Sequence, residues 1–292
     1  MMSQHRRPAR LTAVLPVGER VVDLAIASTA VGDQHVRLVL PSAWEQRPEA
    51  RWPVLYLLHG RWDDYRSWTR ETDVVELTVD LDLLVVMPDG GEHGFYSDWW
   101  NDGKGGPPGW ETFHLFELPA LLARDWHADD RRVVAGLSMG GFGAISYAAR
   151  HPGFFRGAAS LSGVLDILGP GVEAPPALWG DRQAQADVWV AHDPVSRAAD
   201  LRGTPLFVAY GNGRSGPLDA PDTPIDEVEA WLAGLNETFL ARLGELGITA
   251  TVDAYGPGTH TWPYWERSLH RAMPLLLDAL TRQEPSRPSG EA

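Results

Sequence analysis

Four short runs of mainly apolar residues, each with a glycine at its end or within the next three residues, constrain the fold more than any other feature of the sequence. The runs cover residues 53–58, 83–87, 132–136 and 205–210. A strand that is apolar on both faces suits a parallel sheet buried between two layers of helices, whereas a half-exposed strand alternates apolar and polar residues. The runs therefore predict a buried, largely parallel sheet.

Stretches with helical spacing of apolar residues lie between and after these runs. They cover residues 113–125, 140–150, 226–246 and 264–280. Two earlier strands, at about 21–27 and 36–40, are expected to form an antiparallel lead-in. Alternation of strands and helices predicts the α/β class, with a central, mostly parallel sheet flanked by helices on both faces. Ligands of such sheets bind at the carboxyl ends of the strands.

The domain organisation is expected to be simple. Residues 20–281 are predicted to form a single domain, preceded by a poorly ordered N-terminal segment at 1–19. The segment around 165–200 is rich in Pro, Gly and Trp and has weak periodicity, which indicates an insertion over one end of the sheet. The polar tail at 282–292 is predicted to be disordered.

Composition argues against several classes of function. The 292 residues carry a net charge of −14 and contain no cysteine. This charge opposes binding to nucleic acid or to anionic lipid, and no apolar run approaches the roughly 18 residues of a membrane span. Disulfides, thiolate metal sites and cysteine nucleophiles are excluded. The first residues do not resemble a signal peptide, so a cytoplasmic location is expected.

The candidate nucleophile is Ser138, in Gly136-Leu137-Ser138-Met139-Gly140. This G-x-S-x-G pattern lies between a predicted strand and a predicted helix, the context of a nucleophile elbow. Glycines two residues to either side leave room for a strained turn that exposes the serine oxygen. The alternative is an ordinary glycine-rich turn. The strand–turn–helix context favours the elbow.

A serine nucleophile needs a base, which is usually a histidine that follows it in the chain. The histidines after Ser138 are His151, His192, His260 and His270. His260 lies in a predicted loop between a strand and the last helix, and a loop at a strand end can reach the elbow. His151 is expected at the end of the helix that follows the nucleophile, His270 on the last helix, and His192 could line the predicted insertion. We therefore expect His260 to be the base.

The acid of the predicted triad is left open by spacing alone. The candidates between the serine and His260 are Asp219, Asp222, Asp226, Glu227, Glu229, Glu237 and Asp253. Most are expected to be solvated surface charges. Asp226 also fits a helix N-cap, with Glu229 as its capping-box partner, and that interpretation competes with a catalytic role for Glu229.

Six segments together resemble the antigen 85-type mycolyltransferases. These belong to the esterase D-like group, which also includes the S-formylglutathione hydrolases as more distant relatives. The six segments are YLLHG at 56–60, FYSDWW at 95–100, WETF at 110–113, GLSM at 136–139, GNG at 211–213 and GTHTWPYW at 258–265. They occur in the family's order over roughly residues 20–280. The resemblance implies an α/β-hydrolase fold, Glu229 as the acid, and an oxyanion hole formed by the N–H groups of Arg61 and Met139.

The chain departs from this family at two positions associated with holding trehalose. His59 replaces an aspartate and Trp62 replaces an arginine. A site without that carboxylate and guanidinium lacks charged partners for sugar hydroxyls. Trehalose mycolyl transfer is therefore not expected. We expect His59, Trp62, Trp99 and Trp262 to contact substrate, although tryptophans that pack loops onto the body are an equally good interpretation for any one of them.

These observations predict a serine esterase that hydrolyses a carboxylic ester or thioester through an acyl-enzyme on Ser138. One alternative is an acyltransferase that delivers the acyl chain to an alcohol or sugar acceptor. A more remote alternative is a non-catalytic binding protein on a hydrolase fold. No metal or organic cofactor is implied, and the expected partners are small molecules rather than nucleic acid.

Overall fold

The computed structural model describes residues 9–282 and contains one nine-stranded sheet. The strands are β1 Arg10–Pro16, β2 Val21–Ser28, β3 Gly32–Val39, β4 Trp52–Leu58, β5 Leu84–Pro88, β6 Ala128–Leu137, β7 Ala158–Leu161, β8 Leu206–Gly211 and β9 Thr251–Gly256. Their order across the sheet is β1-β2-β3-β5-β4-β6-β7-β8-β9. The pairings from β1 to β5 are antiparallel, and those from β5 to β9 are parallel.

Helices cover both faces of this sheet. They are α1 Ser67–Glu71, α2 Val74–Leu77, α3 Trp110–Thr112, α4 Leu118–Asp125, α5 Met139–Arg150, α6 Pro176–Trp179, α7 Ala186–His192, α8 Glu227–Glu245 and α9 Trp262–Thr281, with a π-helical turn at Phe113–Glu117 between α3 and α4. Alternate residues of a strand point to opposite faces. Accordingly Tyr56 of β4 belongs to the apolar cluster that includes Phe142 of α5, and Leu57 to the cluster that includes Leu269 of α9. The predicted fold class is confirmed.

The prediction that the N-terminal segment is poorly ordered is wrong for residues 10–16. These residues form β1, which pairs antiparallel with β2. This strand is held by backbone hydrogen bonds at the sheet edge and leaves most of its side chains exposed, so it lacks a clear apolar pattern. Residues 1–8 lie outside the described part of the chain. The tail predicted as disordered also lies outside it, apart from Arg282.

The segment at 165–200 contains α6 and α7 and packs onto the body through its aromatic residues. Trp179 is fully buried, and the centroid of its ring lies 5.6 Å from that of Phe142. Its indole N–H donates to Ser97 Oγ at 3.3 Å. At least this tryptophan therefore packs a long segment onto the core. Among the described residues, no helix is long and apolar enough to cross a membrane.

The sheet order brings five chain segments to one edge. The carboxyl ends of β4, β6, β7, β8 and β9 are neighbours in that order, and parallel strands end on the same side of a sheet. Leu58 of β4 pairs with Gly136 of β6, so the loop that starts at His59 lies beside the turn at Ser138. Functional side chains are positioned from these strand ends.

Candidate active site

Ser138 occupies a strained turn between β6 and α5. Its backbone has φ 53° and ψ −119°, a region that non-glycine residues rarely adopt. The flanking glycines are required by close backbone contacts. A Cβ on Gly136 would lie 2.2 Å from the Gly140 carbonyl oxygen, and one on Gly140 would lie 2.3 Å from the Leu58 oxygen. The predicted elbow is thus present in its geometry.

Two candidate oxyanion donors lie beside this turn. Met139 is the first residue of α5, so its N–H has no acceptor within the helix. Arg61 follows Gly60, whose added Cβ would lie 3.5 Å from Ser138 Cβ. Arg61 and Ser138 line the same cavity. Backbone N–H groups at a helix start and in an adjacent loop are suited to holding a developing negative charge.

Glu229 and His260 form a direct hydrogen bond. His260 Nδ1 lies 2.7 Å from Glu229 Oε2, and the Glu229 side chain is fully buried. Because an ionised carboxylate only accepts hydrogen bonds, Nδ1 carries the proton and Nε2 is left as an acceptor. His260 lines the cavity that Ser138 also lines.

Asp226 resolves the question of the capping box. Its Oδ1 accepts from the N–H groups of Val228 and Glu229 at 3.0 and 3.1 Å, as an N-cap does. The Asp226 N–H donates instead to the Gly213 carbonyl oxygen, while the Glu229 carboxylate turns toward His260. Asp226 Oδ2 also accepts from the His260 N–H at 2.8 Å. One residue therefore caps α8 and holds the loop that carries His260.

Sequence reasoning missed the residues that hold the Glu229 carboxylate. Its Oε1 accepts from Ser162 Oγ at 2.8 Å and from the Gly211 N–H at 2.6 Å. Tyr255 adds a longer contact of 3.4 Å. Burial, and then the Glu229 carboxylate, raise the pKa of Tyr255, which therefore stays a neutral donor. Ser162 directly follows β7 and Gly211 is the last residue of β8. Its position at a strand end was the only signal available for the serine.

The cavity at the nucleophile has a volume of about 290 Å³. Its walls are largely apolar or aromatic and include Leu137, Trp62, Trp262 and Trp265. Trp265 also packs edge-on against the His260 ring, with the two ring centroids 4.7 Å apart. Two of the four residues expected to contact substrate, Trp62 and Trp262, thus lie at the cavity. Trp99 lies elsewhere, half-buried against the main core, with its indole N–H donating to the Gly94 oxygen at 3.3 Å.

The expectation that His59 contacts substrate is wrong. Its side chain is buried, Nε2 accepts from the Gly90 N–H at 2.8 Å, and Nδ1 lies 2.7 Å from the Gly60 carbonyl oxygen. Since the Gly90 N–H must donate, the ring proton is on Nδ1 and both ring nitrogens are paired with backbone. His59 joins the loop after β4 to the loop after β5. Its position in the sequence could not reveal that the ring points inward.

Replacement of His59 by leucine tests this structural role. The substitution leaves the Gly90 N–H and the Gly60 oxygen without their partner in a buried site, so we expect a loss of about 2–3 kcal/mol in the free energy of unfolding. Urea unfolding followed by circular dichroism measures it. If His59→Leu unfolds like the wild type and only KM for an ester rises, the side chain contacts substrate after all.

Comparison with known families decides which family the chain belongs to. The model of the family described as "Putative esterase" matches residues 28–276. The chain belongs to this esterase family. This membership agrees with the predicted activity of a serine ester hydrolase or O-acyltransferase.

Relatives of this esterase confirm the predicted resemblance. This chain is 35% identical over 251 residues to the diacylglycerol acyltransferase/mycolyltransferase Ag85B of Mycobacterium leprae. The match covers 78% of this chain and 76% of that protein. The chain is also 36% identical over 265 residues to the diacylglycerol acyltransferase/mycolyltransferase Ag85A of Mycobacterium gordonae. That match covers 83% of this chain and 76% of the relative. The solved structure of an S-formylglutathione hydrolase from Agrobacterium tumefaciens superposes with a TM-score of 0.68 at 18% sequence identity. The superposition covers 92% of this chain and 99% of that one, which shows a shared fold.

Proposed function

We propose that this esterase hydrolyses a carboxylic ester or thioester through an acyl-enzyme on Ser138, with His260 as the base and Glu229 as the acid. The observation that carries the proposal is the 2.7 Å bond from His260 Nδ1 to the buried Glu229 carboxylate. It orients the imidazole of His260, which lines the same cavity as the strained Ser138. Such a base, held by a third group, is the arrangement that activates a serine.

In the first half-reaction, His260 Nε2 takes the Ser138 hydroxyl proton while Oγ bonds to the carbonyl carbon. The carbonyl oxygen becomes an oxyanion, held by the N–H groups of Arg61 and Met139. Each such donor typically lowers the barrier by about 3 kcal/mol. The tetrahedral intermediate collapses, the bond to the alcohol or thiol breaks, and His260 delivers its proton to that leaving group. An acyl ester on Ser138 remains.

In the second half-reaction, water enters the cavity and His260 Nε2 accepts one of its protons. The hydroxyl oxygen bonds to the acyl carbon, and the same N–H groups hold the oxyanion. Collapse breaks the bond to Ser138 Oγ, which regains its proton from His260, and the carboxylic acid leaves. The Glu229 carboxylate stabilises the imidazolium in both steps without taking a proton itself.

The size of the cavity supports esters with short acyl groups as substrates. Its volume of about 290 Å³ lies just below the usual range for small-molecule sites, roughly 300–1,000 Å³. The tryptophan and leucine side chains of its walls suit an apolar acyl group. Short p-nitrophenyl esters are therefore the expected assay substrates.

Acyl transfer to an alcohol is the second candidate, and the names of the mycobacterial relatives favour it. The two reactions differ only in whether water or an alcohol resolves the acyl-enzyme. Trehalose is disfavoured as the acceptor, because His59 is bonded to backbone where the similar family has a sugar-binding aspartate. Addition of acceptor alcohols to the ester assay, with products quantified, separates transfer from hydrolysis.

Covalent labelling tests the nucleophile. We expect a fluorophosphonate probe to modify the native protein stoichiometrically, with the adduct on the peptide that contains Ser138, because only an activated serine reacts at a useful rate. Intact-mass and peptide mass spectrometry measure the adduct. Heat-denatured protein, in which the Glu229–His260 bond is broken, is the control and should not react. Native protein that neither labels nor hydrolyses short esters would instead support the non-catalytic binding role.

A further inference from the structure

Trp62, which directly follows the candidate oxyanion donor Arg61, is held in an unfavourable backbone conformation. Its φ is 64°, in the left-handed region that a bulky side chain rarely adopts. The indole is 66% exposed, so burial does not compensate for this conformation. Instead the backbone N–H of Trp62 donates to the backbone oxygen of Glu92 at 3.2 Å. The Trp62 and His93 rings are nearly perpendicular, with their centroids 3.8 Å apart. Strain that neighbouring groups maintain at an active-site edge suggests a function for the side chain.

The position of Trp62 between two cavities identifies that function. On one side is the 290 Å³ cavity that contains Ser138 and His260. On the other is a cavity of about 610 Å³ whose walls include Asp89, Glu92 and Trp110. Trp62 and its neighbour Asp63 line both. The two cavities therefore adjoin at Trp62 and Asp63.

We propose that Trp62 is a specificity-determining residue, a wall that keeps ester substituents out of the larger cavity and restricts this enzyme to compact substrates. The inference rests on the proposed ester hydrolysis at Ser138 and adds the size limit. A side chain that fills space at the edge of a site discriminates by steric exclusion, and removing it admits what it excluded. The hydrogen bond from the Trp62 backbone N–H holds the main chain, and the contact with the His93 ring holds the indole.

The charge of the larger cavity provides a way to detect its occupation. Four carboxylates and one guanidinium line it, those of Asp63, Asp64, Asp89, Glu92 and Arg70. Arg70 pairs with Asp63 at 2.9 Å, and Arg66, which does not line the cavity, pairs with Asp64 at 2.5 Å. His59 Nε2 lies 3.7 Å from Asp89 Oδ1 and accepts from the Gly90 N–H at 2.8 Å. Among the described residues, no arginine or lysine forms a salt bridge with Asp89 or Glu92. A substituent that enters this cavity therefore gains if it is cationic and loses if it is anionic.

The experiment compares Trp62→Ala with the wild type and with Trp62→Phe, which retains an aromatic wall. One series consists of aryl acetates that carry a 4-methyl, 4-trimethylammonio or 4-carboxylate group. A second series consists of p-nitrophenyl acyl esters whose chains end in the same three types of group. Each kcat/KM is divided by that of p-nitrophenyl acetate for the same protein. In at least one series we expect Trp62→Ala to raise this ratio about tenfold or more for the cationic ester, and Trp62→Phe to stay near the wild type.

Several outcomes would overturn the proposal. Ratios for Trp62→Ala within twofold of the wild type in both series show that Trp62 excludes nothing. An equal gain for the anionic and cationic esters shows that the substituent points to solvent rather than into the larger cavity. In either case the wild type still hydrolyses p-nitrophenyl acetate, and the proposed function stands. Absence of any wild-type hydrolysis contradicts the proposed function itself.

Trp62→Gly separates the wall from the strain. Glycine adopts φ 64° without a steric penalty but also lacks the indole. We therefore expect its selectivity ratios to match those of Trp62→Ala and its melting temperature to be higher. A melting temperature no higher than that of Trp62→Ala would show that the main chain is not strained at this residue.

Discussion

Replacing Ser138 by alanine is expected to lower kcat/KM for p-nitrophenyl acetate by about 10⁴-fold or more. The mechanism has no other atom that can carry the acyl group, since His260 and Glu229 act only through the serine oxygen. What remains would be the effect of the oxyanion N–H groups on attack by water. Initial rates at matched protein concentration, corrected for the spontaneous hydrolysis of the ester, measure the change.

The same substitution is expected to leave the fold intact. Alanine removes one oxygen atom and keeps the backbone bonds of the turn, namely the Ser138 N–H to the Leu161 oxygen at 2.9 Å and the Phe142 N–H to the Ser138 oxygen. Circular dichroism and thermal melting provide the control. A well-folded Ser138→Ala protein that retains even a tenth of the wild-type rate would mean that another group carries the acyl chain.

The fold was predictable where side-chain burial leaves a pattern in the sequence. Strand β4 at Trp52–Leu58 is apolar on both faces because helices cover both, and its residues are almost all buried. Strand β7, Ala158–Leu161, was missed although all four of its residues are buried. It is short and made mainly of small residues, so nothing in its composition separates it from a loop. Edge strand β1 was missed because backbone pairing rather than burial holds it.

The candidate site was predictable where chemistry demands a particular residue in a particular context. The turn at Ser138 needs glycines, and a base must stand on a strand-end loop, which indicated His260. Spacing alone could not choose Glu229, because its partners come from three separate strand ends. His59 was misplaced for the opposite reason: its neighbours in the sequence belong to the active-site loop, but its ring turns inward to backbone groups of another loop.

Glu229→Gln is expected to reduce kcat/KM by about 10³–10⁴-fold while preserving the shape of the side chain. In the wild type, Oε1 accepts from Ser162 and Gly211, and Oε2 accepts from His260. All of these partners donate, so the site is built for two acceptor atoms. Glutamine offers one acceptor and one N–H₂ donor.

Either orientation of the glutamine amide fails in its own way. With the amide oxygen toward Ser162 and Gly211, the N–H₂ group faces His260 Nδ1, which must then accept. The imidazole proton moves to Nε2, and that nitrogen can no longer take the Ser138 proton. With the amide oxygen toward His260, the N–H₂ group meets the Gly211 N–H across 2.6 Å in a fully buried site, and two donors oppose each other. The first orientation abolishes the base, and the second destabilises the protein.

Glu229→Asp provides the matched control, because it keeps the negative charge but shortens the reach by one methylene. We expect it to retain the wild-type imidazole tautomer and to lose less activity than Glu229→Gln. The ¹⁵N chemical shifts of the His260 ring report the tautomer, and thermal melting separates lost activity from lost structure. If Glu229→Gln keeps near-wild-type kcat/KM with Nε2 protonated, then His260 is not the base. If it keeps that rate with Nδ1 protonated, the negative charge of Glu229 is not needed for catalysis.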